Sequence, residues 1–206
     1  NFQNAINSWF SNPIWARATY GHIGDWNTSA VSNMYYAFNM KHQFNEDISG
    51  WDTSSVTNMS GMFQQASAFN QNIGSWDTSS VISMSGMFEW ATSFNQELSE
   101  WNVSSVTTMN RIFGDTTYAL SNTNKGLIHS TFSTNSNWPY DWSAFAPNSP
   151  PSNLTAVAPL TIAENQPIGT VVGEVNATDP DTNSTLTYSL VSGVGDGNNS
   201  LFTLDT

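Results

Sequence analysis

The sequence contains no cysteine in its 206 residues. This absence excludes disulfide bonds, thiolate metal sites, a cysteine nucleophile and a lipidated cysteine anchor. It also leaves the cellular compartment open, because disulfide content is the feature that separates oxidising from reducing environments.

Positive charge is scarce as well. The chain has four Lys and Arg residues against sixteen Asp and Glu, and its formal net charge is −12 at pH 7. Nucleic-acid binding depends on clustered basic side chains, and these are scattered. We therefore predict no nucleic-acid partner, and an acidic surface rich in Asn, Ser and Thr favours solubility, divalent cations or carbohydrate instead. The basic residues are Arg17, Lys41, Arg111 and Lys125.

Long apolar runs are also missing. None approaches the roughly 20 residues of a membrane span, so no spanning helix is predicted. Residues 1–4 have neither a basic nor an apolar signal region, and we expect any secretion signal to have been removed or to lie further upstream. Apolar residues still make up 38% of the chain, which is enough for a substantial core.

The dominant feature that is present is an internal repeat of 25 residues. Tryptophan recurs at this step, and other apolar columns keep the same register, which is the signature of a repeat architecture. The columns are Trp26, Trp51, Trp76 and Trp101; Val31, Val56, Val81 and Val106; Met34, Met59, Met84 and Met109; Phe38, Phe63, Phe88 and Phe113; Phe44, Phe69 and Phe94; and Ile48, Ile73 and Leu98.

Each unit carries two apolar patterns. Val56, Met59 and Phe63 have the i, i+3, i+7 spacing of one helix face, and the side chains of residues 52–55 can cap a helix before them. Residues 69–76 have the inward apolar residues of a short strand followed by a turn. The spacing predicts an α/β solenoid, with one short strand and one short helix per unit and a parallel sheet on one side.

The columns are predicted to be core ladders, because a single unit cannot bury its apolar face without its neighbours. The Asn column at positions 45, 70 and 95 is predicted to satisfy backbone groups at the turns. Phe2, Ile6 and Trp9 match the end of a unit, so the chain is expected to begin inside a repeat.

The repeat pattern stops after Phe113. Residues 114–146 are predicted to form a terminal cap, with a helix that has Ser121 at its N-cap. Trp138 and Trp142 are predicted to cover Phe113 and Phe132 there. A sugar-stacking platform formed by these aromatic side chains is the alternative.

Residues 51–63, WDTSSVTNMSGMF, together with the FNQ sequence at 69–71, resemble the BspA-like leucine-rich repeats of bacterial surface proteins, a group classed as a domain of unknown function in mycoplasmas and other bacteria. The resemblance covers residues 1–146. It implies that the solenoid is of leucine-rich-repeat type. It also implies an extracellular location, on the bacterial cell surface or secreted, and adhesion or partner binding. It implies no catalytic activity.

The residues themselves also indicate no enzyme. There is no Gly-x-Ser-x-Gly nucleophile elbow and no phosphate-binding glycine loop, and no pair of histidines has metal-binding spacing. Two acidic pairs could act as acid and base in glycoside hydrolysis. They occupy variable positions of the repeat and are predicted to be solvated, so no catalytic or cofactor-binding residue is assigned. These residues are Glu46 with Asp47 and Glu97 with Glu100; the histidines are His22, His42 and His129.

A Pro, Ser and Asn run at residues 147–153 predicts a short interdomain linker. Residues 154–206 follow a different pattern, with period-two alternation at 160–162, 169–175 and 186–190 that predicts short strands. Residues 163–165, 177–181 and 186–190 resemble, in that order, the first half of a cadherin repeat. A partial all-β cadherin-like sandwich is expected, and its completion by strands of another chain stays open.

The acidic residues of this second domain predict a calcium site at Glu164, Asp179 and Asp181. Asp179 and Asp181 flank Pro180, which favours an extended segment that can present both carboxylates. Close carboxylates repel unless a cation joins them, and calcium takes oxygen ligands. A solvated acidic loop is the alternative.

Three non-enzymatic functions remain open. The first is adhesion through the repeats to a protein or glycan ligand on another cell or matrix. The second is a structural stalk or filament in which copies of the chain associate end to end. The third is ice binding, suggested by a threonine column at positions 28, 53 and 78 that ends at Val103.

Overall fold

The computed structural model describes residues 1–156, 163, 165–171, 173–179, 181, 185–190, 200, 201 and 203. The chain divides into two compact units, Asn1–Pro147 and Asn148–Thr206. Each unit is described by itself. The division into a repeat domain with a cap, a linker and a second domain stays a prediction.

The first unit opens with two helices, α1 (Phe2–Ser11) and α2 (Pro13–Tyr20), followed by a 3₁₀ turn at Ile23–Asp25. Asn1 and Asn12 cap them, each accepting a hydrogen bond from a backbone amide, and Pro13 begins α2 where its missing N–H costs nothing. The expectation that the chain begins inside a repeat is therefore wrong. The apolar residues that matched a unit end lie instead on α1 and pack on the repeats, where Phe2 meets the Trp51 ring at 5.6 Å.

The predicted α/β solenoid with a helix and a strand in every unit is wrong. Between residues 26 and 120 the described backbone contains neither an α-helix nor a named strand, only turns and isolated parallel bridges. The bridges pair single residues of neighbouring units: Asn33 with Asn58, Asn58 with Ser83, and Ser83 with Thr108.

The repeats form no helix because alternate backbone amides of the predicted helical segment donate to the next unit. The amides of Met62, Gln64 and Ala66 donate three residues back, to Met59, Gly61 and Phe63, at 2.9–3.1 Å. The alternate amides, of residues 59, 61, 63 and 65, donate instead to carbonyls of the following unit. Half of the amides that a helix would use as donors therefore bond to the neighbouring unit. Successive turns still direct the same apolar side chains inward.

The predicted burial of the apolar columns is confirmed for all but the first Trp and Val, which are partly buried. Phe38, Phe63, Phe88 and Phe113 form one stacked row, with ring centroids 5.4–5.7 Å apart. Each buried Trp of the repeat column also has an acceptor, since the indole N–H groups of Trp51, Trp76 and Trp101 donate to carbonyls 28 residues earlier at 2.8–3.3 Å.

The Asn column bonds to the backbone, as predicted. The side-chain oxygens of Asn45 and Asn70 accept from the backbone amide 25 residues later, at 2.9 and 2.8 Å, and Asn95 accepts from the Ser121 amide. The column therefore ties successive turns together at the surface of the stack.

A third helix, α3 (Asn122–Phe132), follows the last repeat, and a 3₁₀ turn at Ser143–Phe145 follows it. Ser121 caps α3 as predicted, accepting from the Asn124 amide at 3.1 Å. Trp138 packs edge-on against Phe113 and Phe132, with centroids 6.3 and 5.2 Å apart. Trp142 lies 5.6 Å from the Phe113 ring, so the predicted aromatic cover of the last repeat is confirmed.

The second unit contains one small antiparallel sheet, β1 (Ser152–Ala156) with β2 (Val175–Thr178), and a cadherin-like sandwich is not found in its described residues. The register pairs Ser152 with Thr178 and Ala156 with Val175. Residues 186–190 are not a strand, and a turn from Pro167 to Thr170, with Gly169 at φ 89°, interrupts the predicted strand at 169–175. The predicted strand at 160–162 lies outside the described residues.

The exposed Asp column should make the fold acid-sensitive. The hydroxyl and amide of Ser54 donate to the Asp52 carboxylate at 2.6 and 3.0 Å and lower its pKa below the ordinary 3.8; Ser79 does the same for Asp77. A carboxyl whose pKa is lowered by folding stabilises the protein above the unfolded pKa, and this stabilisation is lost as the pH falls through the folded pKa. We expect the melting temperature to fall as the pH drops below about 4.

The matched control is built into the repeat. Asn27 and Asn102 hold the same position in other units and accept the same two bonds from Ser29 and Ser104. The double variant Asp52→Asn, Asp77→Asn should therefore fold normally and show a shallower loss of melting temperature below pH 4. If the melting temperatures of the two proteins fell identically with pH, Asp52 and Asp77 would not be the source of the acid sensitivity.

Candidate ligand-binding groove

Left-handed backbone conformations recur at two positions of the repeat. One position has glycine in two units, while the other carries only residues with side chains, at φ 56–60°. An L-residue in this region costs roughly 1–2 kcal/mol relative to the right-handed conformation, and glycine would remove that cost. The first column is Tyr36, Gly61, Gly86 and Arg111; the second is Met40, Gln65, Trp90 and Asp115.

Three of the four side chains of the second column line two open grooves that share His42. Met40 belongs to a groove of about 370 Å³, which also contacts the α1 residues Trp9 and Phe10. Gln65 and Trp90 belong to the other groove, of about 420 Å³. Its remaining lining residues are Ser67 and Thr92. Both volumes lie in the range of small-molecule sites, about 300–1,000 Å³.

Trp90 differs from the tryptophans of the core. Its side chain is 48% exposed, whereas the Trp76 ring is 3% exposed and stacked in the core. Within the part of the chain that the structure describes, no aromatic ring packs against the Trp90 indole and no acceptor takes its N–H. Its backbone amide is fixed, because it donates to the Gly114 carbonyl at 2.9 Å.

A row of polar side chains occupies the positions that immediately precede this column in the sequence. The Asn39 side-chain amide donates to Gln64 Oε1 at 2.9 Å, and the Gln64 amide donates to Glu89 Oε2 at 2.6 Å. Glu89 is only 9% exposed, and Arg111 pairs with its other oxygen. The buried carboxylate is thus both hydrogen-bonded and neutralised, as a charge in such a position requires.

The threonine column does not face solvent. Thr28, Thr53 and Thr78 are each 1% exposed, and their hydroxyls donate to carbonyls of the following unit at 2.9–3.0 Å. These hydroxyls bind backbone and present no array to ice.

Of the two acidic pairs, Glu46 lines the Met40 groove, and the aromatic residues of the cap line neither groove. Glu46 is 3.3 Å from His22 Nε2, and Glu97 accepts from the Ser99 amide at 2.8 Å. Asp47, Glu97 and Glu100 are exposed, as predicted for solvated side chains. Trp142 is 7% exposed, so its ring is not presented as a sugar platform.

Two of the three predicted calcium ligands are in one turn of the second unit. Asp179 Oδ1 accepts from the Asp181 amide at 2.8 Å, and Asp181 Oδ2 accepts from the Ser149 amide at 2.6 Å. Glu164 lies outside the described residues. Among the described residues, those of this turn included, no group of three His, Cys, Asp or Glu side chains is placed to hold a metal ion.

Sequence reasoning missed Met40, Gln65 and Trp90. They vary between units and lie off the apolar columns, and their shared feature is a backbone conformation. The sequence offers only an indirect signal, a bulky aromatic residue at position 90, outside every repeating column.

Comparison with known proteins gives one match. The family model described as "Mycoplasma protein of unknown function, DUF285" matches residues 2–125, which include α1, α2 and the repeats. No curated protein and no solved structure matches the chain. The described residues contain no helix with the length and apolarity needed to cross a bilayer.

Proposed function

The chain belongs to the DUF285 family, and from that premise we propose that it is a non-enzymatic adhesion module that binds its ligand in the groove along the Met40, Gln65 and Trp90 column. The single observation that carries the proposal is this column, where three residues with a left-handed backbone conformation line two open grooves that share His42. Strained residues persist where the surrounding structure holds them, and they concentrate at functional sites.

The packing at the two ends of the repeats favours a binding surface on the side of the stack. Phe10 of α1 packs against Phe38 and Phe44 of the first repeat, with centroids 6.2 and 5.8 Å apart. At the other end Phe132 of α3 stacks on Trp101 at 6.4 Å. Since helices cover both apolar ends, the side of the stack is the surface that stays available to a ligand.

We place this module outside the cell, on a bacterial surface or secreted, and we assign its repeats to the BspA-like group. The support is the repeat itself, with the WDTSSVTNM segment of residues 51–59 and its equivalents. The net charge of −12 suits a protein whose surface is exposed to solvent. The ligand is a protein or glycan on another cell or matrix.

The adhesion proposal is tested with Trp90→Ala. Fluorescently labelled protein is titrated onto intact bacterial and epithelial cells and bound fluorescence is measured by flow cytometry. Truncating a central exposed Trp should weaken binding roughly tenfold or more, which corresponds to at least about 1.4 kcal/mol. The matched control is Trp15→Ala, because Trp15 on α2 is equally exposed at 48% and lies outside both grooves. Wild-type protein that binds neither cell type, or equal binding by Trp90→Ala, would contradict the proposal.

We also propose calcium binding by Glu164, Asp179 and Asp181, because these carboxylates are negatively charged and two of them are separated by a single residue, Pro180. The residues fit in part: two carboxylates share one turn, and calcium takes 6 to 8 oxygen ligands, which carbonyls and water can complete. When bound, the ion would neutralise these carboxylates and stabilise the second unit by mass action.

The calcium proposal predicts a rise in the melting temperature of the whole chain at millimolar calcium and a measurable heat of binding by calorimetry. Asp179→Asn should abolish both. Asp141→Asn is the control, because Asp141 is a comparable exposed carboxylate that accepts from Ser143 in the first unit. No calcium-dependent heat in the wild type would exclude the site.

A further inference from the structure

We infer that the Trp90 groove binds a neutral saccharide chain, with one sugar ring lying on the Trp90 indole and its hydroxyls bound by the side chains around it. This inference rests on the proposed function and specifies its ligand. Three observations carry it: the exposure of the Trp90 indole, the hydrogen-bonding groups of the lining side chains, and the absence of charged side chains from the described lining of this groove.

The indole offers an unused aromatic face and an unused donor. Its 48% exposure and the lack of a ring partner among the described residues leave a flat apolar surface in contact with water. A pyranose has one face made of C–H groups, and these meet the negative face of an aromatic ring favourably. The indole N–H remains available to a hydroxyl oxygen at the ring edge.

The side chains around Trp90 match hydroxyl groups. His42, Gln65, Ser67 and Thr92 provide an imidazole, a carboxamide and two hydroxyls, which together donate and accept hydrogen bonds. Ser67 donates to the His42 carbonyl at 3.2 Å and keeps acceptor capacity. Sugar hydroxyls also donate and accept, so each can be satisfied when the groove is desolvated, and an unpaired polar group would cost affinity.

Charge and apolar area decide between ligand classes. The described lining of the Trp90 groove includes no Asp, Glu, Lys or Arg, and the chain carries a net charge of −12. Such a surface repels anionic chains and holds no cation to attract them. Trp90 is the lone large apolar side chain of this groove, whereas peptide docking relies on several apolar or aromatic anchors in a desolvated centre.

The repeat also suits a polymer. Met40, Gln65 and Trp90 occupy one column, so equivalent positions recur along the stack at the spacing of its units, 5.4–6.0 Å between stacked Phe rings. His42 joins the Trp90 groove to the Met40 groove, whose lining includes one basic and one acidic side chain, Lys41 and Glu46, and so has no excess of either charge. A chain of linked sugar rings can follow this line, while a single sugar would use only the Trp90 end.

The test is a printed array of neutral and anionic oligosaccharides, probed with the whole chain, followed by calorimetric titration of the best hexasaccharide and its monosaccharide. We expect binding to at least one neutral oligosaccharide, weaker binding of the monosaccharide, and a loss of tenfold or more in Trp90→Ala. Trp90→Phe keeps an aromatic face and should retain most of the affinity, and Trp15→Ala should bind like the wild type. Gln65→Ala should lose severalfold.

Binding to no neutral oligosaccharide, binding to anionic oligosaccharides only, or full affinity in Trp90→Ala would overturn the inference. A second arm separates it from the adhesion proposal. Cells are treated with periodate, which cleaves vicinal diols of sugars, or with trypsin, before labelled protein is added. Trp90-dependent adhesion that survives periodate and is lost after trypsin would leave an adhesin whose ligand is a protein, and the saccharide inference would fail alone.

Discussion

Phe63→Ala should lower the free energy of unfolding by about 3–5 kcal/mol, as large-to-small substitutions of buried aromatic residues do. The Phe63 ring is 0% exposed. It lies 5.4 Å from Phe38, 5.7 Å from Phe88 and 3.8 Å from Phe69, measured between ring centroids. The cavity would open in the middle of the row, where stacked units on both sides limit collapse, and urea denaturation measures the change.

Tyr118→Ala is the control for that measurement. Tyr118 is also aromatic but is 94% exposed, so its removal should change the free energy of unfolding by less than about 0.5 kcal/mol. A cost below about 1 kcal/mol for Phe63→Ala would mean that the ring is not packed between its neighbours.

The repeat and its buried columns could be predicted from the sequence because a 25-residue register constrains many positions at once. The local backbone could not. Val56, Met59 and Phe63 have helical spacing, yet the amides of residues 59, 61, 63 and 65 bind the next unit. Apolar periodicity predicts which side chains face inward. A backbone in which turns alternate with bonds to the next unit buries the same residues as a helix, so the periodicity cannot separate the two.

The first residues illustrate the same limit. Phe2, Ile6 and Trp9 follow a spacing that fits either a unit end or a helix face, and the decisive features are the two Asn caps and Pro13. Capping residues therefore carried information that the apolar pattern lacked.

The groove was beyond sequence reasoning for a different reason. Left-handed conformations are predicted readily for glycine, as at Gly61 and Gly86, but not for Met40 or Trp90. Tertiary hydrogen bonds impose the conformation, because the amides of these two residues donate to the following unit, to Gln64 and Gly114. The side chains reach a common surface only once those bonds are known.

Near the C-terminal end of the first unit, α3 packs closely against the 3₁₀ turn at Ser143–Phe145 through Gly126. A Cβ at Gly126 of α3 would lie 1.7 Å from the Phe145 carbonyl oxygen and 2.5 Å from its carbon. Those atoms belong to the 3₁₀ turn at Ser143–Phe145, so the backbone has to move away from α3 to admit a methyl group. This movement would pull on the Trp142 ring, which covers Phe113.

Gly126→Ala should therefore destabilise the protein even though alanine is the better helix former. Replacing glycine within a helix gains about 1 kcal/mol of propensity, while overpacking against backbone costs typically 1–3 kcal/mol and sometimes more. Because the 1.7 Å approach to a carbonyl oxygen puts the cost at the upper end of that range, we expect a net loss of roughly 1–2 kcal/mol in urea denaturation. Tryptophan fluorescence should also be quenched faster as the cap loosens. Gly50→Ala is the control: a Cβ there meets nothing within 4 Å and φ is not positive, so its effect should be within about 1 kcal/mol and of either sign. If Gly126→Ala proved more stable than the wild type, propensity would outweigh the contact, and the turn at Ser143–Phe145 would not be held against α3.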